Sequence, residues 1–501
     1  HSRRITSANI HQAELLATVG PLGGYDTEVY QIHFQGEYID QREEPDSFIP
    51  TCCVDKGHAL RPGEAPYVHT PQQAGNAYYA VTAVLAGTEN LVQFGAANSL
   101  SEPVAEKPAR PLPVLQWVQE DRYKKDPVEY WYRIWAAPPL VNLPSRSFRV
   151  AVAVSDNFAG PGPLTIGSIS GAFNVRGSLN VPRADRVTLL IERQLAWLPA
   201  LFYNQGRDTL RATTECKVDY FSERYFDTLI KWIMAKYRID RSKIDGSLLY
   251  FGLRHPEIFP KMSFGGYTAT YDYRWAPGSP AHLGPQGIKT ADGEDAWEMY
   301  SVGGYVLKYR GRDVPFLICI SGTGKDRGHT SEFGWQDDPR GWRALLEARQ
   351  PFVAAWSGNA HQYPAFRKLD ELNWDGTIPA LSNCSLDNNP GNGDPADGDY
   401  YGQINGWLLW EDRGQVDQPG RWEMTLYLAD ECPRDRCTVD LTPRHCRRFK
   451  PRPGERFAWT NTTADGRQVA SGQVVADQWG RVTIEKLPVG KARHRVVIER
   501  R

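Results

Sequence analysis

The sequence lacks any imbalance of charge: 58 lysine and arginine residues stand against 59 aspartates and glutamates, a formal net charge of −1 over 501 residues. A chain built to hold nucleic acid carries a basic patch or tail, so nucleic acid is not an expected partner. Long apolar runs are missing too. None approaches the roughly 20 residues that a bilayer-spanning helix needs, and membrane insertion is not expected. Cysteine and histidine do not fall at the spacing of a zinc site. His1 is not a native start, and a removed secretory signal is one explanation.

What is present points to a multidomain, partly β-rich protein. The length suits more than one domain, each able to bury a core. The 16 tryptophans, 24 tyrosines, 45 glycines and 36 prolines suit β-rich accessory domains, with most of the rings serving as packing. Eight cysteines are compatible with disulfides and with a secreted or periplasmic location. Cys432 and Cys437 flank a short charged loop, Cys446 follows, and Cys52 and Cys53 are adjacent, which strains a bond between those two. Asn383-Cys384-Ser385 and Asn461-Thr462-Thr463 fit the glycosylation pattern.

In chain order, residues 1–103 read as strands and turns. Ala77-Tyr78-Tyr79-Ala80-Val81-Thr82-Ala83-Val84 alternates as a strand and is followed by Gly87-Thr88-Glu89-Asn90. This piece resembles the end of a fibronectin type III sandwich, which implies a spacer or docking role. Residues 104–113 read as a linker, with Pro108, Pro111 and Pro113 resisting regular structure. From 114 to 400, strands such as 130–135, 147–154, 186–191, 314–320 and 351–356 alternate with helices over 220–237 and 342–349. That order predicts a mostly parallel sheet covered on both faces. Residues 401–501 return to alternating strands, with Asp465-Gly466 as a hairpin signal, and predict a C-terminal β-sandwich.

The segment 237–267 organises the chain. Tyr220, Tyr225, Leu229, Trp232, Ile233 and Tyr237 recur at helical spacing up to Ile239-Asp240; Leu248, Leu249, Phe251 and Leu253 then lead to Arg254-His255-Pro256-Glu257-Ile258-Phe259, where Pro256 ends a second helix. The order of helix, Tyr-x-Ile-Asp turn and helix closing on Arg-His-Pro-x-x-Phe resembles α/β-hydrolases of the esterase D, feruloyl esterase and polyhydroxyalkanoate depolymerase type. The likeness spans about the middle half of the chain. It implies an α/β-hydrolase core flanked by N-terminal and C-terminal β-sandwiches, and a serine-dependent hydrolysis of esters in a polysaccharide or polyester. In that group a full strand and Gly-x-Ser-x-Gly precede the second helix. Here only residues 241–247 fill the space, without that motif, so a full strand is not expected.

By the same resemblance Ser247 stands where the nucleophile belongs, Asp326 where the acid follows its strand, and His361 where the base follows the last one, with Asp337 and Asp338 as rivals for the acid. Two features leave the serine open to another role. Asp245 and Leu249 occupy the positions where the motif has glycine, and a serine opening a helix can serve as an N-cap. The half-motif at Ser263-Phe264-Gly265-Gly266 is a weaker alternative nucleophile. If the elbow is lost, a catalytically inactive relative binding carbohydrate or protein is the alternative. Catalysis of this kind needs no cofactor. A run rich in oxygen donors, with Asp387, Asn389, Asn392, Asp394, Asp397 and Asp399, is a candidate structural calcium site; the plainer reading is a polar surface loop.

Overall fold

The computed structural model describes residues 1–18, 54, 66–119, 127–144, 146–169, 185–192, 202–246, 248–265, 282–321, 340–356, 360–387 and 402–501. Its centre is a sheet system built in two parts. The first runs from β1 (Val114–Gln119) through β2 (Val128–Ala136), β3 (Arg146–Val154), β4 (Gly162–Ile169), β5 (Val187–Glu192) and, after helix α1 (Phe221–Lys236), β6 (Ile239–Gly246). These strands lie in the order β6-β4-β5-β3-β2-β1. The second part contains β7 (Lys261–Gly265), β8 (Phe316–Ser321), β9 (Phe352–Trp356) and an edge strand from later in the chain, and β6 packs beside β7.

The direction of each pairing follows from the connection that precedes it. β1, β2 and β3 pair antiparallel. β4, β5 and β6 are parallel to one another, as are β7, β8 and β9. A crossover long enough to hold a helix is what parallel pairing demands. The expected mostly parallel sheet is therefore a mixed one, with an antiparallel flank.

Helix α1 forms where the periodicity places it. Tyr225, Leu229, Ile230 and Ile233 are fully buried against the sheet residues Val150, Val152, Leu164, Ile166 and Leu189 in one core. Truncating one such leucine costs about 2–5 kcal/mol. At the helix end, Lys236 sits among the rings of Tyr130, Tyr132, Trp232 and Tyr237, with its Nζ 4.8–5.8 Å from their centroids, and donates to the Tyr132 hydroxyl at 2.5 Å. The ammonium keeps a hydrogen bond while its stem covers apolar surface.

The C-terminal part is a two-sheet sandwich. β10 (Ile378–Ser382), β14 (Arg436–Arg444) and β17 (Ile484–Gly490) form one antiparallel sheet. β12 (Leu408–Gln418), β13 (Arg421–Leu428), β15 (Arg456–Thr463), β16 (Gln468–Val475) and β18 (His494–Arg500) form the other, in the order β12-β13-β18-β15-β16. The chain enters this sandwich early, at β10, and then returns to pair β11 (Gly402–Ile404) antiparallel with β9 of the central sheet. Two arginines of the sandwich reach into the core. Arg444 pairs with Asp313 at 2.7 Å and donates to the carbonyls of Arg310 and Arg312, while Arg481 donates to those of Arg310 and Ala348. Those carbonyls follow helices α3 (Val302–Lys308) and α4 (Arg340–Glu347), where backbone acceptors are left over and cations are favoured.

Near the N-terminus the described strands are short: Gly75–Ala77 pairs with Val104–Glu106, and Val84–Leu85 with Thr88–Glu89. The strand expected across 77–84 is interrupted, its middle held by an isolated bridge between Ala80 and Ser99. The Pro-rich linker is tied down at Arg110, whose guanidinium meets Asp227 of α1 at 2.6 Å. Asn461 is wholly buried, donating to the Pro488 carbonyl and bonded to His494, so the folded chain offers no glycan acceptor there.

Candidate active site

Sequence reasoning left no room for a strand before the second helix; the structure has one. β6 covers eight residues and runs parallel to β4, with Ile244, Asp245 and Gly246 opposite Leu164, Thr165 and Ile166. Arg241, Ser242 and Lys243 disguised it, since Ile244 is its one fully buried side chain. Helix α2 (Leu249–Arg254) follows at once, with Leu248 at its N-cap position and no side-chain cap. Ser247, between the strand and that cap, lies outside the described residues.

Two glycines allow strand and helix to meet this closely. A β-carbon on Gly246 would stand 2.7 Å from the Ile166 carbonyl oxygen, and one on Gly252 would stand 1.7 Å from the Met262 sulfur of β7. The usual elbow spaces its glycines two residues either side of the serine; here they fall one before and five after, at the two points where backbone approaches its neighbours. Asp245, at one of the usual glycine positions, turns aside to face Arg186 at 3.8 Å. Ser263 is excluded as an elbow residue because it pairs with Ile318 inside the β7–β8 ladder.

His361 lies in the 3-10 turn Ala360–Gln362 that follows β9. Its ring is exposed, and its carbonyl accepts from Arg367 Nη1 at 2.9 Å. Arg367 also pairs with Glu431, in the turn after β13, at 2.6 Å, which fastens the turn to the C-terminal sheets. Asp326, Asp337 and Asp338 lie outside the described residues. The turn that carries His361 follows the last parallel strand, and neither Ser247 nor Asp326 is among the described residues.

The Arg-His-Pro motif has a physical role that spacing alone did not show. Glu223, in the first turn of α1, pairs with Arg254 Nε at 3.0 Å and with His255 Nε2 at 3.0 Å, while His255 Nδ1 meets Glu257 at 2.8 Å. The imidazole also stacks on Phe251, centroids 4.2 Å apart. Burial works against the charged ring, but the hydrogen bonds to Glu223 and Glu257 outweigh it and hold its pKa up at about 9. Burial likewise opposes the Glu223 carboxylate, and the same contacts keep it below its ordinary range. The cluster locks the far end of α2 to the start of α1. Opposite charges at the ends of consecutive helices were the signal available in the sequence.

Asp387 is not a solvated loop residue. Its carboxylate accepts from Gln403 Nε2 at 2.7 Å and from the Asn405 backbone N–H at 2.9 Å, and burial pushes its pKa up to about 7 despite those bonds. Both oxygens are thus engaged by protein donors, Oδ1 by Gln403 and Oδ2 by Asn405. Asn389, Asn392, Asp394, Asp397 and Asp399 lie outside the described residues. Among the described residues no group of three or more His, Cys, Asp or Glu side chains is arranged to hold a metal.

No known family matches the sequence, and no curated protein does. Among solved structures, an S-formylglutathione hydrolase from Agrobacterium tumefaciens is 16% identical, covering 46% of this chain and 87% of its own, with a TM-score of 0.31. A glucuronoyl esterase from Solibacter usitatus is 12% identical over 48% of this chain and 75% of its own, at 0.30. An esterase from Rhizomucor miehei is 10% identical over 46% and 74%, at 0.26. The chain is distantly similar in fold to these α/β-hydrolase esterases over about half its length; at such scores the matches assign it no residue and no reaction.

Proposed function

We propose that this chain is a secreted or periplasmic serine-esterase-like hydrolase that cleaves ester bonds in a polysaccharide or polyester. The observation that carries the proposal is the placement of chain segments. A parallel strand ends at Gly246, a helix begins after Leu248, and His361 occupies the turn after the last parallel strand.

In this mechanism Ser247 Oγ attacks the ester carbonyl carbon while His361 takes its proton, and Asp326 orients the imidazole and stabilises its cation. The Leu248 N–H, next after the nucleophile, donates to the oxyanion. Collapse expels the alcohol, which takes the proton from His361, and water repeats the sequence to free the acid and the enzyme. No cofactor enters. The flanking β-rich regions, the first of them fibronectin type III-like by sequence, suit a large or insoluble substrate.

The test is hydrolysis of short-chain nitrophenyl esters by the full chain, beside Ser247→Ala and His361→Ala, with mass detection of a fluorophosphonate adduct. Turnover lost in both variants and an adduct on Ser247 support the proposal. A folded chain with neither turnover nor adduct refutes it and favours the inactive, carbohydrate- or protein-binding relative, the reading to which Leu249 in a glycine position already inclines.

A further inference from the structure

A groove opens where the end of α4 meets the side of the sandwich. Its main cavity, of about 340 Å³, is lined by Trp459 of β15, Asp477 after β16, Thr483 and Glu485 at the start of β17, and Arg349 after α4. Small-ligand sites begin at roughly 300 Å³. A smaller cavity of about 120 Å³ shares Arg481 with it and has Trp479, 41% exposed, on its wall.

Two local features shape the larger cavity. Trp459 stands directly across from Gly472, where a β-carbon would come within 2.9 Å of the indole nitrogen. The glycine makes room for the indole, which is half-buried and lines the cavity with the part left open. Arg349 has a φ of 52°, in the left-handed region where a helix end usually has glycine. Keeping an arginine there costs about 1 kcal/mol or more. Its guanidinium reaches the cavity wall, Nη1 donating to Thr483 Oγ1 at 2.6 Å and Nη2 lying 3.6 Å from Glu485.

The charges of the lining cancel. Arg349 faces Glu485, and Arg481 meets Asp477 at 2.8 Å. Such a lining gives a phosphate or a polyanion no net attraction. A neutral sugar matches it, because hydroxyls donate to carboxylates and accept from guanidinium groups, while the apolar face of a pyranose packs on an indole. Two neighbouring cavities, each with a tryptophan, suit consecutive rings of a chain better than a single sugar.

We propose that this groove binds a neutral glycan chain. Arg349 precedes β9 and His361 follows it, so the groove lies at the opposite end of the sheet from the candidate catalytic turn. Five residues of strand, roughly 17 Å, separate the two. The groove is therefore an anchor, apart from the place where an ester would be cleaved. The choice of a polysaccharide as the polymer rests on the function proposed above; the sugar-binding chemistry of the lining does not.

The experiment is native electrophoresis of the full chain through gels containing arabinoxylan, mixed-linkage β-glucan or galactomannan, beside gels with alginate and heparin. Ser247→Ala is run as well, so that no turnover alters the polymer. Retardation by at least one neutral glycan is the expected result, with the dissociation constant raised about tenfold or more in Trp459→Ala and in Arg349→Gly. Both variants should hydrolyse nitrophenyl esters at the unaltered rate. Arg349→Gly puts glycine where the backbone favours it, so it decides the matter if Trp459→Ala fails to fold. No retardation by any neutral glycan, retardation by alginate or heparin alone, or undiminished retardation of Arg349→Gly overturns the proposal. Retardation of a chain that cleaves no ester supports the groove and sinks the esterase reading, whereas turnover without retardation does the reverse.

Discussion

Gly252 and Met262 touch so closely that a β-carbon on the glycine would stand 1.7 Å from the thioether sulfur. The glycine lies in α2 and the methionine in β7, and Met262 is fully buried. Gly252→Ala should destabilise the chain by about 1–3 kcal/mol through overpacking, although alanine favours an isolated helix by about 1 kcal/mol. Adding Met262→Ala should relieve the clash while opening a cavity. A denaturant double-mutant cycle checks this: a coupling near zero would mean that the two residues do not press on each other.

The His255 cluster predicts a pH dependence whose sign is fixed. The folded pKa, about 9, lies above the ordinary value of 6.5. The stabilisation is therefore full below about pH 6.5 and lost as pH rises through 9. It is worth on the order of 2–3 kcal/mol. Asp387 adds to the same trend at lower pH. Its pKa is raised from 3.8 to about 7, so the unfolded chain deprotonates first and stability falls across that window. His282, His445 and His494, whose pKa values burial lowers, oppose that trend below about pH 6.5, so the decline in unfolding midpoints should be read from pH 6.5 to 10, where His255→Phe should flatten it. An unchanged slope above pH 6.5 in that variant would rule out the imidazole as its source.

Arg444 joins the sandwich to the core through charge as well as hydrogen bonds. Arg444→Ala strands Asp313 and bare helix-end carbonyls, and should cost about 3–5 kcal/mol. Arg444→Met together with Asp313→Asn removes both charges and should recover part of that loss. Thermal unfolding separates the cases. Equal destabilisation by Arg444→Ala and by the double variant would show that the ion pair itself contributes nothing.

Much of the fold was legible because it is local. The spacing of Tyr225, Leu229 and Ile233 places α1 to within a residue at each end, and all three are fully buried. The hairpin at Asp465-Gly466 likewise joins β15 to β16. β6 escaped notice because it closes one edge of its six-stranded sheet and carries Arg241, Ser242 and Lys243 outward; burial, which makes a strand visible in sequence, is nearly absent from it. At the candidate site, the turn that carries His361 was legible because it follows the apolar strand 352–356. The work of Asp387 was not, since its donors Gln403 and Asn405 come 16 and 18 residues later in the chain. An aspartate in a run of Asn, Asp and Gly looks wet until the strands that bury it are in place.

The exchange of β10 and β11 between the two halves has a practical meaning for anyone who would take the protein apart. A chain ended between them keeps β10 but strips it of β14, and leaves β9 without its edge partner. A chain begun there keeps β14 but loses β10 from its flank. Neither half can be cut out intact at a single point, so the two should melt, digest and evolve as one body, and grafting either onto another protein would require carrying a strand of the other along.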